Sequence, residues 1–159
     1  MTPLFVLTVA ILMTRVAGRI TGASLNRWDA STRAGLAVML LFTASTHFTS
    51  VRQDLIRMVP PAVPDPEFMV TFTGICEALG AIGLLVRGTR RVAAMALIAL
   101  FVAVLPANVH AARENLVVGG AAATALWPRV GLQLLFIGLV WWSGWRGDRA
   151  THGDMRCTS

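Results

Sequence analysis

Long apolar blocks separated by short polar segments dominate this chain. A block of about 18 or more residues with few charges is typical of a transmembrane helix, because that length spans the hydrocarbon core of a bilayer. The pattern therefore predicts an all-α integral membrane protein with five spanning helices. The blocks cover residues 3–19, 32–49, 66–86, 90–112 and 128–145.

Several blocks carry the residues that commonly begin a helix. Asp65 is expected to cap the third block, with Pro66 at the first helical position and Glu67 beside the positive end of the helix dipole. A proline also opens the fifth block, in the segment "WPRV". Only Gly88 and Thr89 separate the third block from the fourth, so these two helices are predicted to be antiparallel neighbours.

Composition supports the membrane assignment and argues against other classes of protein. The chain is 55% hydrophobic and 14% charged, with a mean hydropathy of +0.66, whereas about a quarter of a soluble domain is charged. The net charge of +6 comes from 14 arginines that stand singly or in pairs at block ends, which is unlike a nucleic-acid-binding stripe. The two cysteines form no CxxC pair, and no motif for a metal or a covalent cofactor is present.

The arginines also predict the orientation of the chain. Ten of them fall on the side shared by the loop between the first two blocks, the turn between the third and fourth blocks, and the C-terminal tail. The other four fall on the opposite side. Because arginine is enriched in cytoplasmic loops, the N-terminus is expected outside and the C-terminus in the cytoplasm, in the inner (plasma) membrane.

Three segments are predicted along the chain. Residues 1–31 form an N-terminal transmembrane helix with a cytoplasmic loop, residues 32–145 a four-helix bundle, and residues 146–159 a flexible cytoplasmic tail. The alternative for the first block is a signal peptide. A retained helix is favoured because the stretch before the block has no positive charge and no small-residue cleavage site follows it.

The segment "THFTSVRQDLIRMVPP", residues 46–61, lies on the predicted outer side. Val51, Leu55 and Met58 recur at helical spacing among polar residues, which predicts one short amphipathic helix ended by two prolines. We expect this helix to lie flat at the interface, over the outer mouth of the bundle, with those three side chains facing down. The alternative is a cap that closes the bundle and needs no ligand.

Glu77 is the strongest functional candidate in the sequence. It lies about 15 Å along the third block from its outer end, and an intramembrane carboxyl is a functional hypothesis by default. Thr73, Gly74, Gly80 and Ala81 share its face, so Glu77 is expected to point into the bundle. The alternative is a protonated carboxyl that donates one interhelical hydrogen bond.

Other polar residues fall in the same outer half of the predicted bundle. Asn108 and His110 are about 200° apart around one helix, so we expect Asn108 to face inward and His110 to lie near Glu114. A polar set confined to one half predicts a cavity that opens outward. The catalytic candidates are Glu77 and His47, and the ligand-binding candidates are Asn108, Gln133, His110 and Arg52.

The order of several motifs resembles that of the DoxX-like family of small integral membrane proteins. The resemblance covers residues 33–140 and implies a compact four-helix transmembrane bundle, with the first block as an extension. The family's motif has a histidine, a Pro-Pro pair, a glycine with a glutamate, and a Pro-Ala-Asn run, and these positions fall on His47, Pro60, Pro61, Gly74, Glu77, Pro106, Ala107 and Asn108. The matching segments are "THF", "IRMVPPAVP", "TGICEALGAIGLL", "TRRVAAMALIALFVAVLPANVHAA" and "WPRVGLQ".

The family is named for a subunit associated with quinone-linked sulfur oxidation, and the resemblance implies little more about function. Together with the buried polar residues it leaves two hypotheses. The first is binding of a lipophilic molecule, quinone or lipid, in an outward-facing polar site, with an oxidoreductase partner or a second copy of the chain. The second is a membrane enzyme doing isomerase-like acid/base chemistry on a lipophilic substrate. In that form Glu77 is the general acid/base and His47 relays protons to the exterior.

Overall fold

The computed structural model describes residues 2–21, 28–114, 116–118, 121–122 and 126–146 of the chain, and they are almost entirely helical. All five predicted blocks and the predicted short helix are present as helices. One feature was not predicted, a two-residue antiparallel ladder between the last two helices. The elements are α1 (Thr2–Thr21), α2 (Trp28–Thr46), α3 (Arg52–Met58), α4 (Pro66–Leu85), α5 (Arg90–Arg113), β1 (Val117–Val118), β2 (Ala121–Ala122) and α6 (Leu126–Arg146).

The ends of α2 differ from the prediction of residues 32–49. The helix begins at Trp28, and its first turns hold an ion pair between Asp29 and Arg33 at 3.2 Å. This pair has the i,i+4 spacing that stabilises a helix, and the prediction did not use it. The helix ends at Thr46 because the next three amides, beginning with that of His47, donate to carbonyls three residues back and form a tight turn.

The predicted start of α4 is confirmed. Asp65 accepts a hydrogen bond from the amide of Phe68 at 3.4 Å, and Pro66 is the first helical residue. Asp65 has a φ of 53°, in the left-handed region that aspartate tolerates better than most residues. The cap therefore turns the chain sharply from the segment after α3 into α4.

Four helices contact one another in a closed cycle, and the fifth long helix lies outside it. Helix α2 packs on α4 and α6, α5 packs on the same two helices, and α1 packs on α2. Gly83 lies opposite Ala93 and Gly80 opposite Leu97, so α4 and α5 are antiparallel, as predicted. The buried centre of this arrangement contains Leu36, Leu40, Leu84, Leu97 and Val140.

Glycine allows several of these helices to approach closely. A Cβ atom added at Gly83 would lie 2.7 Å from the Cβ of Ala93, and one at Gly144 would lie 2.8 Å from the Cβ of Ala94. Real Cβ atoms do not come this close to another carbon. The spacing of α5 from α4 and from α6 therefore depends on hydrogen at these positions, as in membrane helices that pack through small residues.

The outward surface of the helices is apolar, which is the reverse of a soluble protein. On α4 the exposed large side chains form one stripe, opposite the buried Val70, Gly74, Ala81 and Leu84. Apolar surface of this extent is unfavourable in water. The exposed stripe contains Phe68, Phe72, Ile75, Leu79, Ile82 and Leu85.

Three of the described helices are long and apolar enough to cross a membrane. They are the segments Pro3–Ile20, Pro66–Leu85 and Arg90–Arg113. Their length matches the roughly 20 residues that a helix needs to cross the hydrocarbon core. Together with the apolar outer surface, they identify an all-helical membrane protein.

The end of the bundle opposite α3 contains buried arginines that bond to backbone carbonyls. Arg33 donates to the carbonyl of Ser143 at 3.1 Å and so joins α2 to α6. The Nε of Arg90 donates to the carbonyl of Leu84 at 3.4 Å, in the last turn of α4. A cation at the C-terminal end of a helix interacts favourably with the helix dipole, so Arg90 stabilises the end of α4.

We predict that Gly83→Ala destabilises the protein, because the added methyl group would collide with the Cβ of Ala93. Overpacking of this kind costs roughly 1–3 kcal/mol, against a gain of about 1 kcal/mol in helix propensity. The measurement is the thermal unfolding midpoint in a mild detergent. Gly138→Ala is the matched control, since nothing lies within 4 Å of the added atom, and its midpoint should stay or rise. Equal midpoints for the two variants would contradict the prediction.

Candidate functional site

Glu77 lies between α4 and α2, with its side chain 13% exposed. The hydroxyl of Thr43 on α2 donates to Oε1 of Glu77 at 2.5 Å. The Nε2 atom of His47 lies 3.6 Å from Oε2, which is too long for a hydrogen bond but within the range of an ion pair. As the sequence predicted, Glu77 points into the bundle, and its two polar neighbours both come from α2.

The orientation of the His47 ring is set by the backbone of α4. Its Nδ1 atom lies 2.8 Å from the carbonyl oxygen of Val70. Because a carbonyl only accepts, Nδ1 must carry a hydrogen, and Nε2 is then the atom that faces Glu77. One proton shared between Nε2 and the carboxyl gives either a neutral pair or an ion pair. The arrangement therefore has the geometry of a proton-exchanging pair.

Gly74 makes room for this imidazole. A Cβ atom at position 74 would lie 2.7 Å from the Cβ and 2.8 Å from the Cγ of His47. Any larger residue would push the ring away from α4 and break its bond to the Val70 carbonyl. Gly74 and Glu77 are three residues apart on one face of α4, so the space for the ring and the carboxyl it faces belong to the same surface.

Arg52 begins α3 and holds it against the C-terminal end of α2 and the N-terminal end of α4. One guanidinium nitrogen donates to the carbonyl of His47 at 3.2 Å and to the hydroxyl of Thr71 at 3.0 Å. The other donates to the carbonyl of Glu67 at 3.3 Å. Arg52 was predicted to bind a ligand, and in this structure its donors are engaged in fixing α3 beside His47.

A cavity of about 180 Å³ lies beneath α3, between α4 and α5. Among the described residues, Thr73 supplies the only polar side chain of its wall. Val70 and Thr73 line the cavity, and each lies about one helical turn before Gly74 and Glu77 on α4. The cavity therefore ends close to the His47–Glu77 pair. The lining residues are Leu55, Met58, Val59, Pro60, Val63, Met69, Val70, Thr73, Ala103, Val104, Pro106 and Ala107.

The placement of α3 agrees with its amphipathic pattern. The helix packs on α4 and α5, Met58 is buried, and Leu55 lines the cavity. Arg57, on the opposite side, has a side chain that is 72% exposed. Helix α3 therefore covers the N-terminal end of α4 and the C-terminal half of α5, with its apolar side chains turned toward them.

Asn108 and Gln133 form a second polar pair, between α5 and α6. The side-chain amide of Asn108 donates to Oε1 of Gln133 at 3.4 Å, and the amide of Gln133 donates to the carbonyl of Phe101. Among the described residues, no hydrogen bond or ion pair joins these amides to His47 or Glu77. The sequence predicted one polar set, and the contacts divide it into two pairs.

His110 lies in an open groove of about 450 Å³ on the C-terminal half of α5. Pro60, from the segment after α3, forms the opposite wall. The expected neighbour Glu114 meets His110 through the backbone, where its amide donates to the His110 carbonyl at 3.0 Å. The groove is lined by Pro60, Val102, Leu105, Pro106, Val109, His110 and Arg113.

Two residues with a place in these sites were missed in the sequence. Thr43 is four residues before His47, so a helical face through His47 would have included it. Arg113 looked like an ordinary helix-end charge, and the sequence contains no sign of the groove that it lines.

Within the described ranges no group of three or more histidine, cysteine or acidic residues could hold a metal ion. Cys76 is a free, half-buried thiol, and Cys157 lies outside the described residues.

Comparison with known proteins gives one match. The family described as "Domain of unknown function (DUF8561)" matches residues 36–144, about two thirds of the chain. The match begins in α2 and ends near the end of α6, so it includes both polar pairs, the cavity and the groove. No curated protein and no solved structure matches this chain.

We predict that Arg52→Gln loosens α3, because it removes the bonds to the His47 carbonyl, Thr71 and the Glu67 carbonyl. Losing bonds to a charged donor costs roughly 1.5–3 kcal/mol, so amide hydrogen exchange across residues 52–58 should quicken by about tenfold or more. Mass spectrometry of the exchanged protein measures this. Arg57→Gln removes the same charge from an exposed position and should change little. Similar exchange in both variants would show that Arg52 does not hold α3.

We predict that His47 and Glu77 are energetically coupled. In a double-mutant cycle with His47→Gln and Glu77→Gln, the double variant should be more stable than additivity requires, by about 0.5–3 kcal/mol. The measurement is the free energy of unfolding in detergent. Glu77→Gln combined with Asn108→Leu, from the other pair, should be additive within about 0.5 kcal/mol. If the free-energy changes of His47→Gln and Glu77→Gln were additive, the two side chains would not interact.

Proposed function

The chain belongs to the family described as "Domain of unknown function (DUF8561)", and we propose that it binds a lipophilic molecule, a quinone or a lipid, at the outer end of its helical bundle. The observation that carries the proposal is the cavity beneath α3, which is apolar apart from Thr73 and ends about one helical turn from Glu77. Hydrocarbon fits such a wall, and polar groups near its end can fix a head group.

The cover over the cavity is built for entry of a ligand. Helix α3 has seven residues, and Arg52 attaches its beginning to α2 and α4. Its far end leads into Pro60 and Val63, which line the cavity wall. A short segment that Arg52 bonds at its beginning and that packs elsewhere through apolar side chains can move without disturbing the long helices, and such elements commonly gate access to a site.

The proposal includes a membrane topology. Helices α2, α4, α5 and α6 would form a four-helix transmembrane bundle like that of the DoxX-like proteins, with α1 as an additional spanning helix. Their closed cycle of contacts supports this, and so does the apolar outer surface. The distribution of arginines supports an inner-membrane protein with its N-terminus outside and its C-terminus in the cytoplasm. An oxidoreductase partner or a second copy would complete the assembly.

A second candidate function is acid/base chemistry on a lipophilic substrate, isomerase-like in kind. It is favoured by the 3.6 Å separation of His47 Nε2 and Glu77 Oε2, because a carboxyl beside an imidazole can exchange a proton. Glu77 would act as the general acid/base, and His47, near the outer surface, would relay protons. Gly74 and the Val70 carbonyl would hold the imidazole in place.

We predict that filling the cavity lowers the amount of bound ligand. Ala107→Leu places extra carbon atoms into the wall beneath α3, and Glu77→Gln removes the carboxyl near its end. Lipids and quinones that copurify with each protein, identified and quantified by mass spectrometry, should fall severalfold in both variants. Ala99→Leu is the matched control, because this exposed alanine lies two turns away on α5 and outside the cavity wall.

The outcomes separate the two candidates. Unchanged ligand content in Ala107→Leu and Glu77→Gln, with unfolding midpoints equal to the wild type, would contradict both. Loss of ligand in Ala107→Leu with retention in Ala99→Leu supports the binding function. The enzyme requires instead a substrate whose turnover disappears in Glu77→Gln while its binding survives.

A further inference from the structure

The groove on α5 and the cavity beneath α3 are adjacent spaces with shared walls. Pro60 and Pro106 line both of them. Pro60 comes from the segment after α3, and Pro106 comes from the middle of the outer half of α5. The two prolines therefore form the boundary at which a molecule in the groove would meet the cavity.

The groove is amphipathic along its length. Val102, Pro106, Val109 and Arg113 follow one another at helical spacing and form one face of α5. Pro106 and Arg113 are seven residues apart, about 10 Å along the helix. The groove thus begins at a cation, passes over apolar side chains and reaches the cavity boundary.

Arg113 has donors to offer. Its side chain is exposed, and among the described residues no group accepts a hydrogen bond from its guanidinium or pairs with it. His110 lies one turn before it in the same groove and adds a ring nitrogen that can donate. Five N–H donors in a planar fork match a carboxylate oxygen pair, so this end of the groove is complementary to an anionic head group.

The size of the cavity limits what can follow the head group. Its volume of about 180 Å³ is about six times the ~30 Å³ that one water molecule occupies in the liquid, and a methylene group is of similar size. The cavity therefore has room for the end of one hydrocarbon chain. A lipid with two chains would have to leave one of them outside.

We propose that the ligand is a single-chain carboxylate amphiphile of the fatty-acid type. Its carboxylate lies against Arg113 and His110, and its chain passes between Pro60 and Pro106 into the cavity beneath α3. This assignment rests on the proposed function, because it uses the same cavity. It adds the chemical class of the ligand, and it places the head group at the Arg113 end of the groove rather than at the Glu77 end of the cavity. A neutral quinone would make no use of Arg113.

The test compares a long-chain fatty acid with its methyl ester on the full-length protein in a nonionic detergent. Both carry the same radiolabelled chain, and only the acid carries the charge. The wild type should bind the acid about tenfold or more tightly than the ester, since hydrogen bonds to charged groups are about twice as strong as neutral ones. Arg113→Gln should bring the affinity for the acid down to that for the ester.

Two further variants make the result specific. Arg57→Gln removes the same charge from the exposed side of α3 and should keep the preference for the acid. Ala107→Leu fills the cavity and should weaken the acid and the ester alike. An unlabelled diacyl phosphatidylglycerol should displace the labelled acid poorly, because the cavity holds one chain.

Each other outcome overturns the inference in a recognisable way. Equal binding of acid and ester by the wild type would refute the carboxylate site and leave the proposed function standing. If the wild type bound neither the acid nor the ester, both the carboxylate site and the proposed function would be refuted. A preference for the acid that survives Arg113→Gln would refute the assigned head-group site. Displacement by phosphatidylglycerol as effective as that by the unlabelled acid would refute the single-chain ligand.

Discussion

The end of the bundle that α3 covers depends on the contact between His47 and Gly74. The absence of a side chain at Gly74 lets the imidazole lie against α4, where Nδ1 bonds to the Val70 carbonyl and Nε2 faces Glu77. The carbonyl of His47 in turn accepts from Arg52, which positions α3. A change at this one contact would therefore displace both His47, which faces Glu77, and α3, which covers the cavity.

The surroundings explain why such contacts are made in pairs. In helices whose outer faces are apolar, polar groups find no water and must satisfy one another within the bundle. Glu77 does so with Thr43 and His47, and Asn108 does so with Gln133. Each pair also joins two helices, so the groups that could hold a ligand are the same groups that fix the helices. Under the proposed function, ligand binding and helix packing would therefore be coupled at this end of the protein.

The proposed ligand site depends instead on unfilled space next to these polar pairs. The cavity beneath α3 is apolar, while the groove beside it ends at Arg113, whose donors are not used by the described residues. An amphiphile supplies what each part lacks, hydrocarbon for the first and an anion for the second. The His47–Glu77 pair lies about one helical turn beyond the Val70 and Thr73 part of the cavity wall.

The sequence by itself determined the helices, the Asp65 cap, the short amphipathic helix and the inward direction of Glu77, because hydrophobic period and capping are properties of local segments. The first turns of α2 were missed because their support is one ion pair, between Asp29 and Arg33. Only the tertiary structure decided that Thr43 and His47 meet Glu77, that Asn108 instead meets Gln133, and that Arg113 lines a groove. Those outcomes depend on how helices rotate and approach, which small residues such as Gly74 and Gly83 control through contacts distant in sequence.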